Sequence, residues 1–294
     1  MKASALMPLY SNEALRIRLA RLNSFDATHL IPENIERVIA MKNRKGIEEL
    51  GVFFRQTKIE IQREILVGTL CHQNKFSTRI LSALSSVPRE LLLGDTRFAY
   101  WNGVNLVNGL VAIPSPWLVA ATLDLLQVGA GCRVLVLGLG GCHTSLVASR
   151  LVEDGGTVSV IEIDHELIER TRFELSRNSL PPIEIIEGDA LDPELELGGI
   201  FDRIYASLSV SSVPKHWFRH LSSSGYLGVF LDNYDSGGKC KYVIFNGRSR
   251  ARGSVISGLF NERFSSAMGF DGILSAERNV RSFFELNEDY ASGR

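Results

Sequence analysis

The segment Val134–Ser145, "VLVLGLGGCHTS", decides the fold of this chain. A short apolar run typical of a buried strand leads into a glycine-rich turn, and the pattern of a helix follows. Strand, tight turn and helix in this order form the start of a parallel βα unit, and such sheets bind ligands at the carboxyl ends of their strands. The loop after Gly138 is therefore the first place to expect a ligand.

The same rhythm continues from Gly131 onwards. The sequence predicts strands at Arg133–Gly138, Thr157–Ile163, Ile183–Glu187, Arg203–Ser207 and Tyr226–Leu231, with helices between them. Runs such as "RVLVLG" and "YLGVFL" are almost continuously apolar, as a parallel sheet buried on both faces requires. We therefore expect a doubly wound, Rossmann-like α/β sheet. The pair Asn246-Gly247, between two β-prone runs, predicts a hairpin near the C-terminus.

The part of the chain before the sheet has helical patterns. Residues 1–60 predict an N-terminal helical extension without a catalytic motif. Residues 61–130 add helical stretches interrupted at Pro88, a loop-rich segment, and an apolar helix that opens at Pro116. We expect residues 61–130 to form the acceptor side of the molecule and residues 131–294 to form a cofactor-binding α/β core with the C-terminal hairpin.

Composition and charge limit the class of protein. Of the 294 residues, 45% are hydrophobic and 22% are charged, which is ordinary for a folded globular protein. The net charge of -1 gives no global attraction to nucleic acid or to an anionic membrane. The four cysteines show no C-x-x-C spacing, and no apolar run approaches the ~20 residues that cross a bilayer. We expect a cytoplasmic protein with free thiols, no membrane partner and no nucleic-acid partner.

The glycine-rich loop favours one kind of nucleotide over another. Gly138 and Gly140 allow a tight turn and close approach of a ligand to the backbone. A dinucleotide fingerprint would need a further glycine at position 143, where this chain has His143. The loop therefore disfavours NAD and leaves a nucleoside without pyrophosphate.

Two acidic residues lie at the ends of the next two predicted strands: Glu162 is near the end of the first, and Asp189 comes just after the second. Glu162, at the end of "VIE", can accept hydrogen bonds from both ribose hydroxyls. Asp189, in "EGDAL", can accept from an adenine amino group while Ala190 donates its backbone N–H. Each residue alone has a structural interpretation, because isolated acids cap helices and glycine turns serve connections. Together, turn, ribose acceptor and base edge predict S-adenosyl-L-methionine as the cofactor.

Several longer segments carry a resemblance to a known family. They are "ILSALSSVPRELLL", "AYWNG", "AIPSPWLVA", "FDRIYASLSVSSVP" and "LSSSGYLGVFL". The stretch from about Ile80 to Leu231 resembles the protein-L-isoaspartate O-methyltransferases, a family of class I methyltransferases that bind S-adenosylmethionine. The V-P-R-E and I-x-x-P patterns are not general methyltransferase features, so the resemblance, which covers about half of the chain, is specific.

The chain departs from the family pattern at defined positions. Val136 stands where the family's first strand usually has an acid, and Cys142 stands where the family has a third glycine. The family's Thr-Ile-Ser segment is replaced by Ala112–Pro114, which removes both hydroxyls near the reacting carboxylate. Ser115 is the nearest hydroxyl and is our candidate catalytic residue.

The resemblance implies an S-adenosylmethionine-dependent O-methyltransferase that acts on a carboxylate of a peptide or protein. The acceptor would be an aspartate, an isoaspartate or a terminal carboxyl, and the departures favour a tailored peptide, as in peptide natural-product maturation. A carboxylate is already ionised at neutral pH, so the reaction needs alignment more than a general base. The alternative is a catalytically inactive, methyltransferase-fold binding or scaffold protein. The sequence does not determine the oligomeric state.

Two further patterns have plainer explanations. His216 and His220 are spaced to chelate a metal from one helical face, but no third ligand lies nearby, and we interpret them as surface residues without a metal. Arg248, Arg250 and Arg252 alternate along a predicted strand. They could hold an anionic substrate group, or they could protect a sheet edge from pairing with another sheet.

Overall fold

The computed structural model describes residues 58–72, 76–93, 99–100, 105–107, 111–210, 212–233, 239–247, 253–254 and 259–260. The chain divides into two compact units, Met1–Leu125 and Leu126–Arg294. Apart from its last three positions, the expected N-terminal extension, residues 1–60, lies outside the described residues and stays a prediction. Within the described ranges, no helix has the length and apolar character needed to cross a membrane.

The described residues of the first unit form helices and one small hairpin. Its elements are α1 (Ile59–His72), α2 (Thr78–Ser86), a 3₁₀ helix (Arg89–Leu92), β1 (Asn105–Val107), β2 (Val111–Ile113) and α3 (Pro116–Leu125). Strands β1 and β2 pair antiparallel. Helix α2 begins after Ser77, whose Oγ accepts from Ile80 N at 3.3 Å, and it ends before Pro88. The predicted helix boundary at Pro88 and the helix start at Pro116 are confirmed.

The second unit is a sheet with helices between its strands. Its elements are β3 (Arg133–Leu137), α4 (His143–Val152), β4 (Thr157–Glu162), α5 (His165–Arg177), β5 (Glu184–Glu187), β6 (Phe201–Val210), a 3₁₀ helix (Lys215–His220), β7 (Leu221–Asn233), β8 (Lys239–Asn246), β9 (Gly253–Ser254) and β10 (Leu259–Phe260). All five predicted strands are present, although β6 and β7 extend beyond the predicted ends.

The strand order creates a switch point at β3. The sheet runs β10-β8-β7-β6-β3-β4-β5, with β9 paired to β8. Strands β3 to β7 pair parallel, whereas β8 lies antiparallel to β7. The chain moves outward from β3 through β4 to β5 and then returns to the other side of β3 as β6. This is the doubly wound α/β fold that the sequence predicts, and its crevice opens at the carboxyl ends of β3 and β6.

The core explains why the strands are so apolar. Val134, Leu135, Val136 and Leu137 are all buried, so both faces of β3 are covered. Hydrophobic residues from neighbouring elements, including Trp217, join Leu135 and Leu137 in one cluster. Burial on two faces removes the polar alternation that a one-sided strand would show.

The predicted C-terminal hairpin differs in its turn. Strands β8 and β9 pair antiparallel, as the predicted hairpin requires, but Phe245 pairs with Gly253, so their connection is longer than the Asn246-Gly247 pair alone. Gly247 has a left-handed φ of 71°, and its N–H donates to Gly225 O at 2.8 Å, which ties it back to β7. Arg248, Arg250 and Arg252 lie outside the described residues.

Candidate functional site

Backbone hydrogen bonds bring the predicted cofactor residues to one edge of the sheet. Gly138 N donates to Ile161 O at 2.9 Å, and Gly188 N donates to Glu162 O at 2.9 Å. These bonds continue the parallel ladders of β3 with β4 and of β4 with β5. Neighbouring strands lie about 4.8 Å apart. The turn after β3, Glu162 on β4 and the turn after β5 that contains Asp189 are therefore side by side.

The loop between β3 and α4 uses three left-handed residues. Their φ angles are 90° at Gly138, 52° at Gly140 and 65° at Cys142. The two glycines adopt this conformation without strain, whereas an L-residue such as Cys142 loses roughly 1 kcal/mol there. The Cys142 side chain is buried and makes no capping hydrogen bond to α4, and burial raises the pKa of its thiol to about 12. The thiol is therefore packed as an apolar group.

Glu162 accepts hydrogen bonds from the loop after β3 and from the two residues that directly follow it. Its Oε2 accepts from Leu139 N at 2.8 Å, and its Oε1 accepts from Ile163 N at 2.8 Å and from Asp164 N at 3.0 Å. A carboxylate offers about four acceptor positions, two on each oxygen. One position on Oε2 is left for a ligand hydroxyl, so accepting both ribose hydroxyls requires exchange of one backbone N–H.

The turn after β5 orients Asp189 through its own backbone. Asp189 Oδ1 accepts from Leu191 N at 2.8 Å, and Asp192 N donates to Asp189 O at 3.0 Å. Among the described residues, Asp189 Oδ2 has no hydrogen-bond donor. This oxygen is available to a ligand amino group.

Ala190 is fixed by the side chains of His216 and Trp217. Its carbonyl oxygen accepts from Trp217 Nε1 at 2.7 Å and lies 3.0 Å from His216 Nε2. The interpretation of His216 as a surface residue is wrong, because only 7% of it is exposed. The contact joins positions 26 and 27 residues apart, so no local spacing rule could reveal it. In the described part of the chain, no group of three or more His, Cys, Asp or Glu residues could hold a metal ion.

Two apolar residues next to the acids were also missed. Ile163 is 66% exposed and directly follows Glu162, and Leu191 is 47% exposed and lies two positions after Asp189. Apolar side chains of this size gain free energy when they are covered. They offer surfaces on which a flat aromatic base could pack. The sequence signal was a large apolar residue close behind each acid.

The fourth strand at the switch point contributes Ser207. Its Oγ donates to Leu137 O at 3.1 Å and also contacts Gly138 O. The start of the loop after β3 is therefore hydrogen-bonded both to β6, through Ser207, and to β4, through Gly138 N. Val136, two residues before Gly138, is buried in the core, so it places no polar group at the position where the family has an acid.

The catalytic candidate Ser115 belongs to the first unit. Its Oγ accepts from Leu118 N at 3.2 Å, and its side chain is buried. This geometry is that of a helix N-cap, which satisfies an otherwise unpaired N–H at the start of α3. Among the residues that the structure describes, no acceptor takes the hydroxyl proton, which leaves it available for donation. The residue pattern before Pro116 did not predict this structural role for Ser115.

A buried polar cluster in the first unit joins the two family motifs V-P-R-E and A-Y. Arg63 Nε donates to the Tyr100 hydroxyl at 2.7 Å, and Arg63 Nη2 contacts Glu90 Oε1 at 2.6 Å. The Tyr100 hydroxyl donates to Glu90 Oε2 at 2.5 Å and accepts from Arg89 N at 3.2 Å. Burial, together with the Glu90 carboxylate, raises the pKa of Tyr100, so the phenol stays a donor.

The cluster reaches the segment that precedes Ser115. Arg89 is fully buried, and burial lowers the pKa of its guanidinium. Its Nη2 lies 3.5 Å from Ile113 O, the last residue of β2. The motifs quoted in the resemblance therefore meet in space and support the region where the family's hydroxyls are replaced.

Comparison with known proteins identifies the family. The family model for protein-L-isoaspartate(D-aspartate) O-methyltransferase matches residues 62–238, more than half of the chain. The protein-L-isoaspartate O-methyltransferase of Methanothrix thermoacetophila is 30% identical over 177 residues, which are 59% of this chain and 82% of that protein. The enzyme of the same name from Methanococcus maripaludis is 29% identical over 150 residues, which are 50% of this chain and 70% of that protein.

Solved structures agree with this result. A protein-L-isoaspartate O-methyltransferase structure has a TM-score of 0.56 and 25% identity, and the match covers 63% of this chain and 60% of that chain. A putative enzyme of the same kind from Plasmodium falciparum, in complex with S-adenosyl-L-homocysteine, has a TM-score of 0.53, 17% identity, and coverage of 62% and 91% respectively; it supports the fold. The enzyme class predicted from the sequence, an S-adenosylmethionine-dependent carboxyl O-methyltransferase, and its cofactor are those of the matched family and are confirmed. The chain belongs to the protein-L-isoaspartate(D-aspartate) O-methyltransferase family.

Proposed function

We propose that this protein methylates a carboxylate of a peptide or protein, with S-adenosylmethionine bound across the tips of β3, β4 and β5. One observation carries the proposal. Two carboxylates occupy adjacent strand tips: Glu162 is fixed by three backbone N–H groups and Asp189 has one oxygen open to a ligand. Such a pair suits a nucleoside, because the ribose offers hydroxyl donors and adenine offers an amino donor.

The residues present fit the adenosyl group. Glu162 would accept from the ribose, Asp189 Oδ2 from the adenine amino group, and Ala190 N–H would donate to the base. Ile163, which is largely exposed, would cover one face of the ring. Gly138 and Gly140 would let the rest of the cofactor approach the backbone, since neither has a side chain in the loop.

The proposed methyl transfer requires little proton transfer from the protein. When bound, S-adenosylmethionine supplies a methyl group attached to a positively charged sulfur. An acceptor carboxylate oxygen forms the new O–C bond as the C–S bond breaks, which gives a methyl ester and S-adenosylhomocysteine. The protein has to hold the acceptor oxygen about 3–3.5 Å from the methyl carbon and exclude water. The Ser115 hydroxyl would donate to the acceptor carboxylate. Arg89, through its contact with Ile113 O, would hold the segment that precedes Ser115.

The acceptor belongs to an aspartyl or isoaspartyl residue or is a terminal carboxyl. Relatives named for protein L-isoaspartate support the isoaspartyl choice. The absence of both hydroxyls at Ala112–Pro114 supports a tailored acceptor instead, such as the precursor of a peptide natural product. We place the reaction in the cytoplasm, which the free thiols of Cys71, Cys132 and Cys142 support.

Methyl transfer from tritiated S-adenosylmethionine tests the proposal directly. An isoaspartyl peptide, its aspartyl counterpart and a C-terminally amidated version of each would be compared, and base-labile radioactivity would be counted as methyl ester. Ester on any of them supports carboxyl methylation. Efficient turnover of arbitrary isoaspartyl peptides would contradict the tailored acceptor and support general repair.

The alternative, a non-catalytic binding protein, rests on two observations. The Ser115 hydroxyl already caps α3, and Cys142 fills a loop position that the family leaves to glycine. Titration calorimetry with S-adenosylhomocysteine separates the cases when combined with the transfer assay. Binding that is lost in Glu162→Ala but kept in Glu169→Ala supports the site, and binding without transfer to any carboxylate supports the alternative. Equal heats from wild type and Glu162→Ala contradict the site assignment.

A further inference from the structure

The 3₁₀ helix Lys215–His220 lies against the connection between β5 and β6. Its consecutive residues His216 and Trp217 both contact the carbonyl oxygen of Ala190. We infer that His216 and Trp217 are positioning residues for the adenine base: they fix the turn from which Asp189 recognises it. This inference rests on the proposed function, since it assumes that an adenosyl group binds at this turn.

The two contacts are well placed to hold the turn rigidly. Trp217 is 1% exposed and is part of the hydrophobic core, so core packing sets the position of its N–H. Its hydrogen bond to Ala190 O is 2.7 Å long. The ring of His216 lies edge-on to the Trp217 ring, with centroids 6.3 Å apart. Because a carbonyl oxygen can only accept, His216 Nε2 carries the proton in this contact.

The same helix contacts the β5–β6 connection at a second point. His220 Nδ1 lies 3.2 Å from Gly199 O, two residues before β6 begins. The connection is therefore anchored both at Ala190, near β5, and at Gly199, near β6. Two anchors on one short helix restrict movement of the turn as a whole.

The link to Asp189 follows from the planarity of the peptide bond. The carbonyl of Ala190 and the N–H of Leu191 belong to one peptide unit, so fixing one fixes the direction of the other. Leu191 N–H donates to Asp189 Oδ1 at 2.8 Å. The contacts of His216 and Trp217 with Ala190 O thus determine where the Asp189 carboxylate points. Because the Leu191 N–H occupies Asp189 Oδ1, Asp189 Oδ2 is left for the ligand.

A pair of ligands that differ at one position of the base tests the inference. S-adenosylhomocysteine has an amino group that can donate to Asp189, whereas S-inosylhomocysteine has an oxygen there and cannot. The dissociation constants of both ligands would be measured for wild type, Trp217→Phe, His216→Leu and the double variant of the full chain. Trp217→Phe removes the donor and keeps most of the ring.

We expect wild type to prefer the adenosyl ligand and the variants to lose that preference. Each single variant should bind S-adenosylhomocysteine about fivefold more weakly, the equivalent of one net hydrogen bond of about 1 kcal/mol, and should bind S-inosylhomocysteine nearly as wild type does. His216→Gln, which keeps an N–H donor, should recover part of the preference. In the transfer assay the loss should appear in KM for the cofactor and not in KM for the acceptor.

Phe218→Leu is the matched control for a purely structural effect. Phe218 lies on the same helix, is buried, and packs edge-on against Phe245 with ring centroids 5.3 Å apart. Its shortening should lower stability and leave the ligand preference unchanged. A double variant at 216 and 217 that keeps the wild-type preference overturns the inference alone. Wild type that binds neither ligand overturns the proposed function, and this would be evident before any variant is compared.

Discussion

At the scale of single residues, Gly138 controls the geometry of the switch point. A Cβ at this position would lie 2.8 Å from Ser207 Oγ, and the φ of 90° disfavours any side chain. We expect Gly138→Ala to lower the free energy of unfolding by roughly 2 kcal/mol and to weaken binding of S-adenosylhomocysteine. Urea unfolding and calorimetry measure the two effects.

Gly155→Ala is a matched control for that substitution. A Cβ at Gly155 meets only Gly131 Cα, at 3.7 Å, and the backbone there is not left-handed. Adding Ser207→Ala to Gly138→Ala should restore part of the stability, because it removes the overlap and leaves the backbone strain. Similar urea midpoints for Gly138→Ala and Gly155→Ala would argue against a special role for this turn.

The thiol of Cys142 predicts an alkaline loss of stability. Burial raises its pKa from the ordinary 9.0 to about 12, so the folded state keeps the thiol neutral while the unfolded chain ionises. The resulting stabilisation is complete below pH 9 and is lost as the pH rises towards 12. Between pH 8 and pH 10.5, the urea midpoint of wild type should fall more than that of Cys142→Ala. Parallel curves for the two proteins would show that the thiol is accessible in the folded state.

At the scale of elements, β7 depends on a glycine that admits a tyrosine from β8. A Cβ on Gly228 would overlap the Tyr242 hydroxyl and would approach Tyr242 Cζ to 2.8 Å and Leu126 Cδ2 to 3.0 Å. All of these atoms belong to a tightly packed interior, so Gly228→Ala should cost about 2 kcal/mol or more. Tyr242→Phe in the same chain should recover part of it, because it removes the overlap with the hydroxyl and leaves the close approaches to the ring and to Leu126. Chemical denaturation of the two variants checks this, and no recovery would mean that the overlap is relieved elsewhere.

The polar cluster of the first unit should behave differently from a surface ion pair. Removal of Glu90 leaves Arg63 and the Tyr100 hydroxyl without their shared acceptor in a largely buried site. We expect Glu90→Ala to destabilise by about 2–3 kcal/mol. Glu169→Ala, which removes an exposed partner of Arg172, should change stability by less than about 0.5 kcal/mol. Equal effects in thermal unfolding would contradict the structural role of the cluster.

The elements could be predicted from sequence because local patterns encode them. The apolar run of β3 and the proline at position 116 each determine an element through its own residues. The Asn246-Gly247 pair predicted the hairpin of β8 and β9 but not the length of its connection, because that length depends on which residues of the two strands meet, and Phe245 meets Gly253. Strand β7 begins at Leu221, earlier than predicted, because its pairing with β6 starts at Phe201.

The candidate site, too, could be predicted from the sequence only in part. Glu162 ends β4 and Asp189 follows β5, so their position at one edge of the sheet could be inferred from the order of the strands alone. The contact between Trp217 and Ala190 could not, because it depends on how the connection after β5 packs against a helix much later in the chain. The role of Ser115 was obscured because a residue before proline can serve as a helix cap or as a reactive hydroxyl, and sequence does not separate the two.

At the scale of the whole molecule, the assignment predicts coupling between ligand and folding. A ligand that binds only the folded state at one hundred times its dissociation constant adds about 2.7 kcal/mol of stability. S-adenosylhomocysteine should therefore raise the unfolding temperature of wild type by several degrees. Glu162→Ala should lose this increase while its unfolding temperature without ligand changes less than its ligand response. An equal rise in both proteins would place the ligand elsewhere.

The proposed binding of the cofactor through its nucleoside has a consequence for turnover. The contacts assigned to Glu162 and Asp189 involve only ribose and adenine, which methyl donation leaves unaltered. The product S-adenosylhomocysteine can therefore make the same contacts as S-adenosylmethionine. The two differ in binding only by what the positively charged sulfur contributes. The enzyme should be sensitive to inhibition by S-adenosylhomocysteine. Its rate in a cell should follow the ratio of S-adenosylmethionine to S-adenosylhomocysteine more closely than the concentration of either molecule alone.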